Sequence, residues 1–346
     1  MHKSLKDISW QVTEPEYRDD SVLSYSTLAR FEREGFEHLD TLFEKIETPS
    51  LLFGSCVDTI LTDGDEAFME QFFIGDLPSM KPSAEPVVKK LFELFHDSYT
   101  NINDIPNSAV LPVVKEYNYE ARWKDDTRCN SVKQEGFKYY QTMYMAGDKR
   151  LVTQDMYNKV FACVRALKDY PQTSKYFMPD DPFSDVKRFY QLKFKDTLNG
   201  IEYRCMPDLI VVDYKHKVVI PCDLKTSSNK EYAFPKSFVH WRYDIQARLY
   251  WRLIRKAMDK DEYFKDFTLK DYRFIIVSSS GSPMPLIWEF GETTAKGTVE
   301  VAGIKLRDPE EIGEELHSYL VNPQVVPRDI KVFVPNSIEK WLIENN

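Results

Sequence analysis

The middle of the chain is predicted to contain short strands joined by tight turns. Residues 189–194 alternate between the two faces of a strand, and Asn199-Gly200 then favours the two-residue turn of a β-hairpin. Residues 201–212 predict the return strand, and after a polar turn residues 218–225 predict another. We therefore expect this part of the chain to form a sheet.

Segments with the apolar spacing of helices lie on both sides of these strands. The predicted helices span residues 24–46, 50–61, 85–96, 132–145, 154–167, 238–258, 309–320 and 337–344. Two further strands are predicted at 272–278 and 285–290. This order predicts an α/β fold, in which a mixed central sheet has flanking helices and a helical N-terminal part. The expected segments are residues 1–180 (helical, packing on the core), 181–300 (the sheet core) and 301–346 (a C-terminal tail with helices).

Charge is distributed unevenly along the chain. The 346 residues carry a formal net charge of -9 at pH 7, which argues against a general nucleic-acid coat protein. Between Lys187 and Lys256, however, 15 Lys and Arg stand against 7 Asp and Glu. A basic region inside an acidic chain predicts a localised site for a polyanion.

Disulfide-rich, zinc-ribbon and membrane-spanning proteins are not expected from this sequence. The five cysteines are scattered and include no C-x-x-C pair. No apolar run approaches the roughly 20 residues that span a bilayer, and the N-terminus lacks the apolar stretch of a signal peptide. We expect no membrane partner and a location in the cytoplasm of a bacterium or of a phage-infected host.

Two carboxylates and a lysine fall on neighbouring predicted strands. Asp208 precedes the turn between these strands, and Asp223 and Lys225 follow it. Because side chains alternate along a strand, Asp223 and Lys225 point to one face, where Asp208 can meet them. Carboxylates brought together in a fold repel each other unless a cation joins them, and Mg²⁺ prefers oxygen ligands. A lysine beside such a metal can offset the charge that develops on a phosphate.

The same residues have an ordinary structural interpretation. Pro-Asp and Asp-x-Lys are short patterns that occur often by chance, and an Asp or Lys at a strand edge is commonly just solvated. The residues alone leave both interpretations open.

The set Pro207-Asp208 and Asp223-Leu224-Lys225 resembles the core motif of the PD-(D/E)XK nucleases, which have the restriction-endonuclease type of fold. Gln246 and Tyr250, one helical turn apart, resemble the Q-x-x-x-Y motif of the RecB-like branch. The resemblance implies that Asp208, Asp223, Lys225, Gln246 and Tyr250 are catalytic. It also implies that the two aspartates bind Mg²⁺, for which Mn²⁺ can substitute.

The N-terminal part resembles the start of exonuclease VIII (RecE-like) nuclease domains of phages and bacteria, at residues 23–28 and 53–58. In those domains a G-x-x-x-H helix supplies a metal-binding histidine. Here Asp58 stands in its place and is expected to complete the metal shell. Gln191 lies near a position that is often acidic in these relatives. Some relatives hold an iron–sulfur cluster through three late cysteines, and because this chain has no cysteine after Cys222 we expect no cluster.

The resemblance implies a Mg²⁺-dependent deoxyribonuclease, and within that class an exonuclease that resects duplex DNA ends for recombination or repair. The implied partners are DNA, a single-strand annealing protein and further copies of the chain. One alternative is an endonuclease for branched or single-stranded DNA. Another is a catalytically silent DNA-binding or assembly protein, which Asp58 and the overall acidity support.

Several residues near Gln246 are candidates for DNA contacts. The basic residues expected to bind the phosphate backbone are Arg242, Arg248, Arg252 and Lys230. A solvated helix face would carry arginines at the same spacing. Trp241, Tyr243 and Trp251 could stack on bases at a frayed end, whereas core packing is the usual role of such aromatic residues.

Overall fold

The computed structural model describes residues 2–44, 46–179, 181–279 and 283–323. Its helices are α1 (Glu14–Asp19), α2 (Tyr25–Glu34), α3 (Pro49–Thr62), α4 (Gly64–Gln71), α5 (Glu85–Phe95), α6 (Asn107–Glu116), α7 (Asp125–Ala146), α8 (Gln154–Asp169), α9 (Ser174–Phe177), α10 (Phe234–His240), α11 (Tyr243–Asp259) and α12 (Pro309–Val321). Its strands are β1 (Phe72–Ile74), β2 (Arg150–Val152), β3 (Val186–Tyr190), β4 (Phe194–Leu198), β5 (Ile201–Cys205), β6 (Leu209–Asp213), β7 (Val218–Ser227), β8 (Thr268–Leu269), β9 (Arg273–Ser278), β10 (Leu286–Glu289), β11 (Val299–Val301) and β12 (Ile304–Leu306). The helix predicted at 337–344 lies outside the described residues.

A mixed sheet is built around β7, in the order β10-β9-β7-β6-β3, with β8 also paired to β7. On one side β7 runs antiparallel to β6, and Leu209 lies opposite Cys222 at the end of that pairing. On the other side β7 runs parallel to β8 and then to β9. The helix α11 lies in the chain between β7 and β9, as a crossover between parallel strands requires. This architecture confirms the α/β class with a mixed central sheet and flanking helices.

Two of the predicted strands are divided. The segment predicted as one strand at 189–194 bends at Gln191, whose φ is 50°, so that β3 and β4 join different sheets. The return strand predicted at 201–212 is interrupted at residues 206–208, between β5 and β6. The predicted turn is present: Asn199 and Gly200 have φ of 48° and 82°, which suits a two-residue hairpin turn between β4 and β5.

The long helix predicted at 238–258 is likewise two helices. It breaks at Trp241 and Arg242, and Arg242 has a left-handed backbone with φ 55°. From Tyr243 onward, α11 packs an apolar side into the core through residues such as Ile245, Leu249 and Leu253, all of them fully buried. The break changes the chain direction just before the turn of α11 that carries Gln246.

The chain forms two compact units, one of residues 1–48 with 166–346 and one of residues 49–165. The first unit contains the central sheet, and the N-terminal residues belong to it. Leu5 and Leu28 are fully buried in the same core as the sheet, and Leu23 forms a parallel bridge to Tyr203. The helix predicted at 24–46 ends early, because Gly35 has φ 71° and follows the last residue of α2.

The second unit has its own apolar core. Helices α5, α6 and α7 pack together through buried side chains that include Val88, Leu91, Val114, Val132 and Tyr140. The short strands β1 and β2 pair in parallel within the same unit. Each unit therefore holds an independent set of buried apolar contacts.

None of the helices in the described part of the chain combines the length and the apolar character needed to cross a membrane.

The contact between α12 and β5 predicts a sensitive position. A Cβ atom at Gly313 would collide with the hydroxyl and ring of Tyr203, which is fully buried. We expect Gly313→Ala to lower the free energy of unfolding by about 1–3 kcal/mol through overpacking. Gly291→Ala is the matched control, because a Cβ there meets no atom within 4 Å. Thermal or urea unfolding measures both, and equal stabilities of the two variants would contradict the described packing of α12.

Candidate active site

Asp208 and Asp223 lie opposite each other where the pairing of β6 with β7 ends. The last paired residues are Leu209 and Cys222, and the two aspartates are the next residues outward on each chain segment. The Asp208 carboxylate accepts a hydrogen bond of 2.7 Å from the backbone amide of Leu224. Through this bond Asp208 caps the part of β7 that extends beyond β6, and its carboxylate stays next to the Asp223 side of the sheet.

Asp223 is a buried carboxylate, with 2% of the residue exposed. Its Oδ1 accepts a 2.7 Å hydrogen bond from Nε2 of Gln246 on α11. Its Oδ2 forms a close ion pair with the Lys225 ammonium group, two residues along the same strand. Strand alternation and the helix crossover thus bring three of the predicted residues together.

Lys225 is surrounded by aromatic rings as well as by the carboxylate. Its Nζ lies 4.5 Å from the centre of the Tyr243 ring, 5.9 Å from that of Tyr25 and 6.0 Å from that of Phe274. Such faces attract a cation and hold it in place. Burial is the largest single influence and lowers the pKa of Lys225, but the charge of Asp223 together with Tyr243, Tyr25 and Asp208 outweighs it, and the pKa is raised. The lysine is therefore a fixed positive charge that can donate hydrogen bonds.

One buried oxygen of the site, Oε1 of Gln246, has no hydrogen-bond partner within the described residues. Buried polar atoms without partners are uncommon, and a bound ion or water is a usual explanation. Within the described residues, no group of three or more His, Cys, Asp or Glu is arranged to hold a metal. Mg²⁺ needs fewer protein ligands, because it commonly keeps several waters and binds one or two carboxylates. The atoms that could bind a metal are the carboxylate oxygens of two aspartates and an amide oxygen, and such ligands suit a hard divalent cation.

Tyr250 packs behind this site and does not form a hydrogen bond to Asp223. Its ring meets those of Tyr25 and Tyr272 edge-on, at 6.5 and 6.0 Å between centres. Burial raises the pKa of Tyr250 and of Tyr272 well above the usual value, and the charge of Asp223 raises them further. Both phenols therefore stay protonated and can act only as neutral groups at ordinary pH.

Three aromatic residues of the site were not predicted from the sequence. Tyr25, Phe274 and Tyr272 come from α2, from β9 and from the residue before β9. Tyr25 falls in the segment 23–28 that resembles the start of exonuclease VIII domains. This resemblance was the sequence signal that could have identified Tyr25 as a residue of the site. Nothing in the local sequence distinguishes Phe274 and Tyr272 from other core aromatic residues.

Three arginines that were predicted to bind DNA have guanidinium groups that pair inside the protein, which contradicts that prediction. Arg248 is fully buried, and its guanidinium donates to the carbonyls of Ala295 and Gly297 and forms an ion pair with Asp308 at 2.7 Å. Arg252 binds the same Asp308 and also Glu310. A guanidinium whose donors are used by interior acceptors cannot also bind a phosphate.

Arg242 is the third of these residues, with 7% of its surface exposed. It forms ion pairs with Glu32 on α2 and with Asp244 on α11. Its ion pairs therefore hold the break between α10 and α11, where the backbone of Arg242 is left-handed, next to α2. This role is structural. Lys230, the fourth predicted DNA contact, is exposed in the segment after β7, and its role stays a prediction.

Part of the basic window found in the sequence is balanced by acidic residues from elsewhere in the chain. Lys195 pairs with Asp20, and Arg255 pairs with Asp259. With the pairs of Arg242 and Arg252, much of the positive charge between Lys187 and Lys256 is used within the fold. A count along the sequence could not reveal this, since Asp20, Asp259, Glu32 and Asp308 lie outside the counted window.

Two further residues singled out from the sequence are Asp58 and Gln191. Asp58 lies on α3 in the second unit, where the side chain is partly buried, and its role as a metal ligand stays a prediction. The backbone amide of Gln191 donates to the carbonyl of Asp208 at 3.1 Å, so the bend at Gln191 supports the Asp208 loop.

The structural role of Arg248 has a measurable consequence. Removal of Arg248 takes a buried positive charge from Asp308 and a donor from the Gly297 carbonyl, so we expect Arg248→Met to lower the free energy of unfolding by about 3 kcal/mol. Arg18→Met, which removes an exposed pair with Glu14, is the control and should change it by less than about 1 kcal/mol. Chemical unfolding measures both. Unchanged stability of Arg248→Met together with weaker DNA binding would restore the original prediction.

Comparisons with known proteins add one structural likeness. No protein family and no curated protein matches the sequence. Among solved structures, the chain is similar to a crystal structure from Eubacterium rectale described as a "putative exonuclease", with 14% sequence identity and a TM-score of 0.38. The match covers 96% of this chain and 98% of that chain. A function for this protein therefore has to be argued from its own site.

Proposed function

We propose that this protein is a metal-dependent nuclease that hydrolyses phosphodiester bonds in DNA. The observation that carries the proposal is the group formed at the end of the β6–β7 pairing. Asp208 and Asp223 lie opposite each other there, and Lys225 is ion-paired to Asp223. Two acidic side chains and a fixed ammonium group are what metal-assisted attack of water on a phosphodiester requires.

Each residue has a distinct role in this proposal. Asp208 and Asp223 hold Mg²⁺ or Mn²⁺, and Gln246 fixes the orientation of the Asp223 carboxylate through its hydrogen bond to Oδ1. A cation held by these residues would supply a bound water of lowered pKa and would polarise a phosphate oxygen. Lys225 donates a hydrogen bond to the attacking water or to the phosphate and offsets the negative charge that develops there. Tyr250 keeps the back of the site dry by packing against Tyr25 and Tyr272.

Within this class we propose an exonuclease that degrades duplex DNA from its ends in recombination or repair, in a bacterial or phage setting. Support for this narrower proposal comes from the sequence resemblance to exonuclease VIII domains. A single-strand annealing protein and further copies of the chain are the partners that this role predicts. An endonuclease, the first alternative, would also cut DNA that has no ends. A silent DNA-binding protein, the second alternative, would bind DNA and cut none.

End-labelled linear duplex DNA and a closed circular duplex provide the test of the activity. With Mg²⁺ we expect the linear DNA to be shortened from its ends and the circle to stay intact. EDTA, Asp223→Asn and Lys225→Met should each abolish cleavage, with a rate loss of about 100-fold or more for the substitutions. Asp213→Asn is the matched control, since Asp213 lies on β6 and pairs with His216 away from the site.

Other results would overturn parts of the proposal. Cleavage of the closed circle would favour the endonuclease. DNA binding without cleavage in Mg²⁺ and in Mn²⁺ would favour the silent binding protein. Equal activity of Lys225→Met and the unaltered protein would remove Lys225 from the mechanism.

Direct metal binding separates the site from the assay of activity. We expect Mn²⁺ to bind the full chain, as followed by calorimetry, and we expect Asp223→Asn to weaken that binding at least about tenfold because a ligand is lost. Gln246→Leu should weaken it about 10- to 100-fold, because the carboxylate loses the donor that orients it. Asp213→Asn should bind as the unaltered chain does. Unchanged Mn²⁺ affinity in Asp223→Asn would place the metal elsewhere.

A further inference from the structure

An exposed tryptophan lies near Lys225 and the aromatic rings that surround it. Trp241 lies at the break between α10 and α11, and 44% of its surface is exposed. The other two aromatic candidates from the sequence, Tyr243 and Trp251, are partly buried and pack against the core. Trp241 is thus the one of these three whose ring is available to a ligand.

The local backbone holds Trp241 in this position. Arg242, the next residue, has a left-handed backbone, which costs free energy in a residue other than glycine. The buried ion pairs of Arg242 with Glu32 and Asp244 offset that cost. The backbone amide of Trp241 donates to the carbonyl of Ser237, and its own carbonyl accepts a 2.8 Å hydrogen bond from the Tyr25 hydroxyl. The indole is therefore presented by a rigid junction and not by a loose loop.

Arg33 on α2 lies beside Trp241, and the two side chains together form one exposed surface. The guanidinium carbon of Arg33 lies over the Trp241 ring, 5.0 Å from the ring centre. Arg33 is exposed, and among the side chains that the structure describes no carboxylate forms an ion pair with it. Arg242, Arg248 and Arg252 nearby all pair with carboxylates. An exposed guanidinium stacked on an indole keeps its donors available for an anion such as phosphate.

This surface is connected to the candidate active site through a single side chain. Tyr25 donates to the Trp241 carbonyl with its hydroxyl, and its ring centre lies 5.9 Å from Nζ of Lys225. Burial raises the pKa of Tyr25, and the positive charges of Lys225 and Arg33 both oppose that increase, as expected if both lie close to its hydroxyl. A strand whose phosphate lies at Lys225 would have a neighbouring nucleotide within reach of Trp241.

We propose that Trp241 and Arg33 bind one nucleotide of an unpaired DNA strand next to the Asp208–Asp223–Lys225 site. The indole stacks on the base, and the guanidinium binds the adjoining phosphate. Inside an intact duplex every base is stacked on both sides and offers no face to the indole, whereas each base of an unpaired strand can offer one. The inference rests on the proposed nuclease function and adds to it that the strand is separated before it reaches the site.

The test measures DNA binding in a chain that cannot cut. Lys225→Met serves as the common background, with Mg²⁺ present and a fluorescein-labelled 12-nucleotide oligo-dT or a blunt 12-base-pair duplex as the probe. In this background we expect Trp241→Ala to weaken oligo-dT binding about tenfold, in the range of one lost base stack. Trp241→Phe keeps a stacking ring and should stay within about threefold of the background. Trp123→Ala is the matched control, since Trp123 is 42% exposed and lies in the second unit.

Salt dependence distinguishes the roles of the two residues. Arg33→Gln should reduce the slope of log affinity against log salt for oligo-dT by about 0.7, the value for one phosphate contact to a single strand. Trp241→Ala should leave that slope unchanged. Arg18→Gln, which removes an exposed arginine paired with Glu14, is the control for the loss of one positive charge.

Three results would overturn the inference. Trp241→Ala could bind oligo-dT as tightly as Trp123→Ala does, or it could lose as much affinity for the blunt duplex as for oligo-dT. If the unaltered chain nevertheless cuts DNA, the nuclease proposal stands and only this inference fails. If the background chain binds neither probe and the unaltered chain cuts no DNA, both proposals fail together.

Discussion

The charge of a carboxylate buried inside a protein must be balanced by an opposite charge or by hydrogen-bond donors. Asp223 is such a carboxylate in this chain. Lys225 supplies the opposite charge from the same strand, and Gln246 supplies a hydrogen bond from α11. The hydrogen bond from Gln246 depends on where α11 crosses the sheet. That position depends in turn on the left-handed junction at Arg242, which is held by Glu32 from the N-terminal helix and by Asp244. The orientation of one buried side chain is thus linked to three separate parts of the sequence.

A second buried charge network explains the fate of the basic residues. Asp308, at the start of α12, receives both Arg248 and Arg252 from α11 and joins the end of the described chain to the helix of the site. Buried pairs of this kind contribute more to a specific arrangement of elements than to net stability. Arg242, Arg248 and Arg252, which the sequence predicted to bind a polyanion, form ion pairs inside the protein instead. Arg33 and Lys230 are exposed and take no part in these ion pairs.

The predicted elements were found where local patterns are strong, and they were interrupted where tertiary contacts hold an unusual backbone. The hairpin at Asn199-Gly200 was predicted because its residues tolerate the turn themselves. The bends at Gln191 and Arg242 were missed, because neither is glycine and nothing in the neighbouring sequence marks a positive φ. At both positions other parts of the fold hold the backbone in place. Gln191 donates to the carbonyl of Asp208, and Arg242 forms buried ion pairs with Glu32 and Asp244.

The sequence by itself determined that Asp223 and Lys225 share a face and that Gln246 lies on the helix that follows. These relations depend on the period of a strand and on the order of elements, both of which are local properties of the chain. Only the tertiary structure decided which side chains surround the ammonium group of Lys225 and which arginines are buried. The rings of Tyr25, Tyr243 and Phe274 come from α2, α11 and β9. Contacts between residues so distant in sequence follow from how the helices and strands pack, and no pattern within a single segment records that packing.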